Sequence, residues 1–286
     1  MQDNRAPCSI WRLPICQGCV EEGGRRVTEQ QPLIKNSNPL VTIVTVVFNG
    51  AQYIEQTINS ILSQTYKYIE YILIDGGSTD GTINIIKKYD KDLEYWVSEP
   101  DAGIADAMNK GIALSSGDFI LFLHADDFLI DEGSIALAVS LLKQSTAIAA
   151  FNIIFRNNNG DSVLKPRGFN CWLNFKTGLL HQGVLCSSNI FERIGWFDTD
   201  FSIAMDYEFW LRAYREGIMP DLFPQTLCIM RDTGVSSKRD WPTLRRRFSE
   251  ERMAHVKHAG SRWMRMVYTL YWLLYLPYRY LKNCLA

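Results

Sequence analysis

Several features are missing from this 286-residue chain, and each absence narrows the reading. No uncharged apolar run reaches the roughly 18–20 residues that a membrane-spanning helix needs. The first residues carry Arg5 and Arg12 but no apolar core segment, so a secretory signal is not expected. Cysteine is sparse and odd in number: seven, scattered at Cys8, Cys16, Cys19, Cys171, Cys186, Cys228 and Cys284. That usage predicts free thiols in a reducing cytosol rather than a disulfide framework. Cys16-Gln17-Gly18-Cys19 with Cys8 hints at zinc, but no fourth ligand stands nearby. There are no internal repeats and no low-complexity tracts, which excludes repeat architectures.

Apolar content of 47% and charged content of 21% are ordinary for a globular protein. The length suffices for one large or two small domains with a sizeable core. The net charge of −1 conceals an asymmetry, because residues 238–286 hold eleven Lys/Arg against three Asp/Glu. An acidic front suits a metal site and a basic tail suits an anionic surface; no nucleic-acid partner is expected. Residues 1–38 lack periodicity and predict a disordered leader. Residues 39–237 read as the main domain, and 238–286 as a basic helical tail.

Val41–Val47 is a β-branched run suited to a strand buried on both faces. Ile54, Ile58, Ile61 and Leu62 then recur at helical spacing. Tyr71–Ile74, Tyr95–Val97 and Phe119–Leu123 predict further strands, with helices after the first and over Ile104–Leu114. Strands alternating with helices of about ten residues argue for an α/β fold with a doubly wound, mostly parallel sheet. Beyond Asp131, Ile148–Phe155 and Ser162–Lys165 flank Asn157-Asn158-Asn159-Gly160, a hairpin signal. Phe169–Gly183 is aromatic and reads as one side of a cleft, and Asp206–Gly217 reads as a helix. The run from Arg262 to Leu276, with Trp, Tyr and flanking arginines, fits either a helix lying in a membrane interface or one packed on the domain.

Two acidic clusters stand at the ends of apolar runs. Ile74 leads into Asp75-Gly76-Gly77-Ser78-Thr79-Asp80-Gly81, and Leu123 leads into His124-Ala125-Asp126-Asp127. Open α/β sheets collect ligands at such strand ends, and adjacent carboxylates there hold a hard divalent cation that neutralises phosphates. The series Thr45–Asn49, Ile74–Thr82, Asp101-Ala102-Gly103 through Ala107–Gly111, and Ala125-Asp126-Asp127 resembles the family-two glycosyltransferases with a GT-A fold. The resemblance runs from about Pro39 to about Ser237, nearest to bacterial surface-polysaccharide, colanic-acid-like members. It implies a smaller acceptor-side region and C-terminal helices around the sheet.

The resemblance also implies site residues. Donor binding would fall to Thr45, Val47, Asn49, Asp75, Asp101, Asn109, Lys110 and Asp126. Mg²⁺ or Mn²⁺ would sit on Asp126, with Asp127 as second ligand or orienting residue. In relatives the Asp75 position meets uracil or another pyrimidine-like edge, which favours a UDP-sugar. Ala204–Arg212 is similar to the family's "DYxxxxR" region, making Asp206 the general base. His181, Gln182 and Arg212 would line the acceptor side. The chain departs from the pattern at His124, where many relatives carry Asp or Asn. Each residue also has a structural reading: Asp75, Asp80 and Asp206 as helix-end carboxylates, Lys110 on a solvated face, His124 as a satisfied core histidine.

The reaction implied by the resemblance is an inverting transfer of one sugar from a nucleotide sugar to a lipid-linked saccharide, in cell-surface polysaccharide synthesis. The protein would act in the cytoplasm, peripheral on the inner face of the cytoplasmic membrane. Rival readings are a non-catalytic nucleotide-sugar-binding module and a sugar nucleotidyltransferase. The first would be expected to lose Asp126 or Asp206. The second would need a glycine-rich, Arg-containing loop that Phe48-Asn49-Gly50-Ala51-Gln52 does not supply.

Overall fold

A computed structural model describes residues 10, 12–13, 21–28, 38–234 and 240–284. The disordered leader expected over residues 1–38 fails at its centre. Strand β1 (Glu21–Gly23) and helical turn α1 (Arg25–Thr28) dock on the sheet edge, β1 pairing antiparallel with Trp96–Ser98. Buried charge is the physical reason. Arg26, 3% exposed, reaches Glu70 Oε1 at 2.5 Å and donates to the Leu114 carbonyl at 2.8 Å. Its Nε stands 3.6 Å from Glu94, which is also buried. Carboxylates out of water need a counter-ion, and this segment supplies it. Cys8, Cys16 and Cys19 lie outside the described residues.

The next elements follow the expected rhythm: β2 (Val41–Val47), α2 (Ile54–Leu62), β3 (Ile69–Asp75), α3 (Thr82–Ile86), β4 (Tyr95–Ser98), α4 (Ile104–Leu114) and β5 (Phe119–Phe122). Every residue of β2 is buried, as its Val/Ile/Thr composition predicts for a central strand. β2 pairs in parallel with β3 from Val41↔Ile69 to Val47↔Asp75, and with β5 on its other side. α4 crosses β2 so closely that a Cβ at Gly111 would stand 2.3 Å from Val44 Cγ1. Only glycine permits that approach.

Beyond β5 come β6 (Phe128–Leu129), α5 (Ser134–Ser140), the hairpin β7 (Ile148–Asn157) and β8 (Gly160–Leu164), then β9 (Val184–Ser187), α6 (Ser188–Ile194), α7 (Met205–Arg215) and β10 (Asp221–Arg231). The sheet runs β1-β4-β3-β2-β5-β9-β7-β10-β6, with β8 beside β7. β9 is antiparallel to both neighbours, so the sheet is mixed with a parallel heart. Helices cover both faces: Met108, Ile112, Phe191 and Trp210 pack on one, Ile54, Ile58, Ile86 and Ile135 on the other. The chain winds outward from β2 toward β4, then crosses to β5 on the far side. The crevice beyond the carboxyl ends of β2 and β5 is therefore a topological switch point.

The basic tail forms α8 (Trp241–Lys257), capped by Asp240 accepting from the Thr243 amide, and α9 (Arg262–Cys284). α9 has one face packed on the domain and an apolar face that is exposed. Tyr268 and Trp272 are buried against the domain, while Trp263, Met266, Leu270, Leu273, Leu274 and Leu281 point outward with exposures of 53–75%. No helix of the described residues is long and apolar enough to cross a membrane.

Removing Arg26 takes the cation from buried Glu70, while Glu94 keeps Arg25 at 3.0 Å. Arg26→Ala should lower the unfolding free energy by about 3–5 kcal/mol, the usual consequence of breaking a buried pair from one side. Urea denaturation checks this, and a change below about 1 kcal/mol on that scale would show that the docked segment is dispensable.

Candidate active site

A cavity of about 450 Å³ opens at the switch point. Val46–Gly50 after β2 and His124–Asp127 after β5 form its floor, with Asp101 and Gly103 at the start of α4. His181, Gln182, Ser202, Ile203 and Met205 form one wall; Arg231, Thr233 and Gly234 close another. The turn after β2 is sharp because Asn49 takes a left-handed φ of 52°. Its Oδ1 accepts from the Thr79 amide at 2.9 Å, and its own amide donates to Ser78 Oγ at 2.7 Å. Val47 and Asn49 thus stand where expected, with the β2 and β3 loops stitched together.

The two aspartates after β5 are divided by burial. Asp126 lines the cavity, its Oδ2 accepting from the Thr233 hydroxyl at 2.6 Å. Asp127 is 1% exposed; one oxygen accepts from the Arg231 amide at 3.3 Å and the other has no partner. Burial, reinforced by the Asp126 charge, pushes the Asp127 carboxyl well above the usual carboxylate range. Asp126 is half-buried where Asp127 is fully buried, so Asp126 is the more accessible of the two candidates.

Arg231, at the end of β10, is a site residue that no motif in the sequence marks. Its guanidinium lies over the Tyr53 and Phe128 rings, 4.8 and 4.6 Å from their centroids, and donates to the Asp126 carbonyl and to Gln56 Oε1. It braces the turn that carries Asp126. The signal that could have found it is the one that singles out Asp75: an apolar run, Leu227–Met230, ending in a charged residue.

Asp206 sits in the first turn of α7 with its side chain 16% exposed. Its Oδ2 is 3.6 Å from His181 Nδ1, beyond hydrogen-bond reach but close enough for charge to act. His181 meets His124 edge to face, ring centroids 4.5 Å apart. Burial, and then His181, hold His124 well below the usual histidine range, so it is neutral. Neither ring nitrogen of His181 has a hydrogen-bond partner, nor does Gln182 Oε1. Asp206 does not itself line the cavity; its neighbours His181 and Met205 do.

Five expected site residues stand elsewhere. Thr45 is fully buried inside β2 and accepts from the Tyr71 hydroxyl at 3.2 Å. Asp75 is 0% exposed, its oxygens taken by the Gly77 and Ser78 amides (3.1 and 2.9 Å) and the Ser78 and Ser98 hydroxyls (2.5 and 2.6 Å). Three of these donors fall on Oδ2 and one on Oδ1, and Asp75 does not line the cavity. Asn109 clamps Phe197, donating to its carbonyl at 2.8 Å and accepting from its amide at 3.0 Å. Lys110 pairs with Glu99 at 2.6 Å and Asp106 at 3.6 Å. Arg212 forks onto Glu208 at 2.9 Å and donates to the Ile194 and Trp196 carbonyls. These polar groups lock loops to helices instead of facing the cavity. Asp80 is likewise structural, accepting from Ala51 and Thr82. Asp101 does line the cavity, and a Cβ at Gly76 would come within 2.5 Å of its Oδ2.

The mixed sheet, helices on both faces and acidic strand end at the switch point define a GT-A α/β protein. Mannosyltransferase PcManGT from Pyrobaculum calidifontis, in complex with GDP-Man and Mn²⁺, shares the fold with a TM-score of 0.62 and 21% identity, over 87% of this chain and 74% of that one. S. aureus TarS 1-349, in complex with UDP-GlcNAc, gives a TM-score of 0.59 and 16% identity, over 76% of this chain and 66% of that one, just under two thirds of its length. The sequence profile of glycosyl transferase family 2 matches residues 42–209, and the chain belongs to that family. An uncharacterized glycosyltransferase of Mycobacterium tuberculosis (strain CDC 1551 / Oshkosh) is 36% identical over 210 residues, 71% of this chain and 79% of its own. A PGL/p-HBAD biosynthesis glycosyltransferase of Mycobacterium bovis (strain BCG / Pasteur 1173P2) is 28% identical over 184 residues, 62% of this chain and 70% of its own. The protein is a glycosyltransferase.

Proposed function

We propose that the protein moves one sugar, with inversion, from a nucleotide sugar to a lipid-linked saccharide of the cell surface. One observation carries this reading. A cavity at the switch point has Asp126 on its floor and the Asp206–His181 pair at its margin. The donor's diphosphate belongs beside Asp126. The sugar's anomeric carbon then faces the wall where Asp206 removes the acceptor hydroxyl's proton. The M. bovis glycosyltransferase, named for PGL/p-HBAD biosynthesis, supports a glycolipid-type acceptor. TarS holds UDP-GlcNAc and PcManGT holds GDP-Man, which supports a nucleotide-sugar donor.

The donor set fits Mg²⁺ or Mn²⁺. Asp126 offers a hard oxygen, and no group of three or more His, Cys, Asp or Glu side chains able to hold an ion exists among the described residues. Such sparse ligation suits ions that keep water and substrate phosphate oxygens in their shell. When bound, the ion supplies neutralisation of the departing diphosphate. Thr233 and Arg231 hold the carboxylate and its backbone in place.

The outward face of α9 supports a peripheral position on the inner leaflet. Trp263, Met266, Leu270, Leu273, Leu274 and Leu281 fall at helical spacing, so they form one apolar stripe ~27 Å long. Arg262, Arg265 and Lys282 flank it, as expected of a helix lying in an anionic interface.

Asp126→Ala should abolish Mn²⁺-dependent binding of donor nucleotide in calorimetry and reduce transfer to background. Asp206→Asn should keep donor affinity while turnover falls about 10²–10⁴-fold, the range for losing a general base. Normal turnover in Asp206→Asn would move the base elsewhere, and unchanged Mn²⁺ binding in Asp126→Ala would remove the metal assignment.

Replacing Leu273 and Leu274 by Glu acts only on the exposed face. Co-sedimentation with anionic vesicles should be lost while thermal stability holds. Truncation after Gly260 is the poorer test, because it also removes the buried Tyr268 and Trp272. Vesicle binding that survives the double substitution would exclude the stripe as the membrane contact.

A further inference from the structure

Helix α8 lies outside the residues matched by the family profile, yet it sends a carboxylate to the segment just before Asp206. Glu250 is 8% exposed. Its Oε2 accepts from three consecutive amides, Ser202 at 3.0 Å, Ile203 at 2.7 Å and Ala204 at 2.9 Å, and its Oε1 accepts from the Ser202 hydroxyl at 2.5 Å. Arg246 Nε stands 3.6 Å from Oε1. These amides precede α7, whose N-cap residue Ala204 has no side chain able to accept. A negative charge at this end of a helix also suits the helix dipole. Glu250 therefore gathers, from another helix, the amides that lead into α7, of which Ala204's is the N-cap amide.

Ser202 and Ile203 line the cavity, and Asp206 follows two residues after Ala204. We infer that Glu250 is a positioning residue of the transfer reaction: by gathering the Ser202–Ala204 amides it shapes the acceptor wall and aims Asp206. The body of α7 is held independently. His258 Nε2 lies 2.7 Å from Glu208 Oε1, and His255 Nε2 lies 2.7 Å from the Tyr207 hydroxyl. Trp272 Nε1–H donates to His255 Nδ1 at 2.9 Å, so the His255 proton is on Nε2 and is given to Tyr207. The Tyr207 hydroxyl in turn donates to the Leu173 carbonyl at 2.7 Å. Loss of the Glu250 carboxylate thus loosens the segment facing the cavity without releasing the helix behind it.

The inference rests on Asp206 being the base, and its test separates the two. Glu250→Ala removes both acceptor oxygens, whereas Glu250→Gln keeps a carbonyl oxygen for the three amides that converge on Oε2 and serves as the partial rescue. Three measurements apply to the full chain: amide hydrogen exchange by mass spectrometry, binding of UDP-GlcNAc and GDP-mannose with Mn²⁺, and donor hydrolysis, which needs no saccharide acceptor. In Glu250→Ala, exchange should quicken at least tenfold across residues 202–206 and stay unchanged across 208–215. Donor affinity should stay within twofold, while hydrolytic turnover drops at least tenfold. Unchanged exchange at 202–206, or full turnover beside an inactive Asp206→Asn, would overturn the role of Glu250 alone. Exchange quickening throughout α7 together with weakened donor binding would reduce Glu250 to general support and also overturn it. Full turnover in Asp206→Asn would instead remove the base assignment.

Discussion

A carboxylate taken out of water must be met by donors, and the arrangement of this protein follows from how each buried acid is met. Glu70 is met by Arg26, Thr42 and Ser116. Asp75 is met by Ser78, Ser98 and two amides, Glu208 by Arg212 and His258, and Glu250 by the Ser202–Ala204 segment. These acids tie together elements far apart in sequence, from the first strand to α8. Among the described residues, three acids around the crevice keep unmet capacity. Asp127 retains a buried oxygen with no partner, Asp126 is anchored through one oxygen only, and Asp206 has His181 beyond hydrogen-bond distance. Saturation separates the structural carboxylates from those available to substrate.

The two ends of the chain are joined to the catalytic fold by this same chemistry. Arg26 brings the N-terminal strand onto β4, and Glu250, His255 and His258 bring α8 onto α7. The C-terminal helices are thus continuous with the acceptor side of the site. α9 presents an apolar stripe outward while Tyr268 stacks on His255 within, ring centroids 4.4 Å apart.

Local signals carried much of the architecture. The β-branched run at Val41–Val47, the helical spacing of Ile104–Leu114 and the Asn-rich turn before Gly160 each correspond to the element observed, because each pattern reflects burial on a known number of faces. The strand-end logic also placed Asp126 correctly at the cavity. It failed for Asn109, Lys110 and Arg212, whose partners Phe197, Glu99 and the Ile194 carbonyl are brought close only by folding. A polar side chain looks the same in sequence whether it faces a ligand or locks a loop.

Residue order alone therefore set the alternation of strands and helices, the switch point and the acidic strand ends, since these depend on periodicity and turn chemistry within about ten residues. Tertiary structure decided which acids remain open. It turned Asp127 inward and Asp126 outward, set Arg231 against a turn about a hundred positions earlier, and set Glu250 of α8 on the amides that lead into α7. Hydrogen-bond saturation is a property of neighbours in space. No pattern along the chain records it.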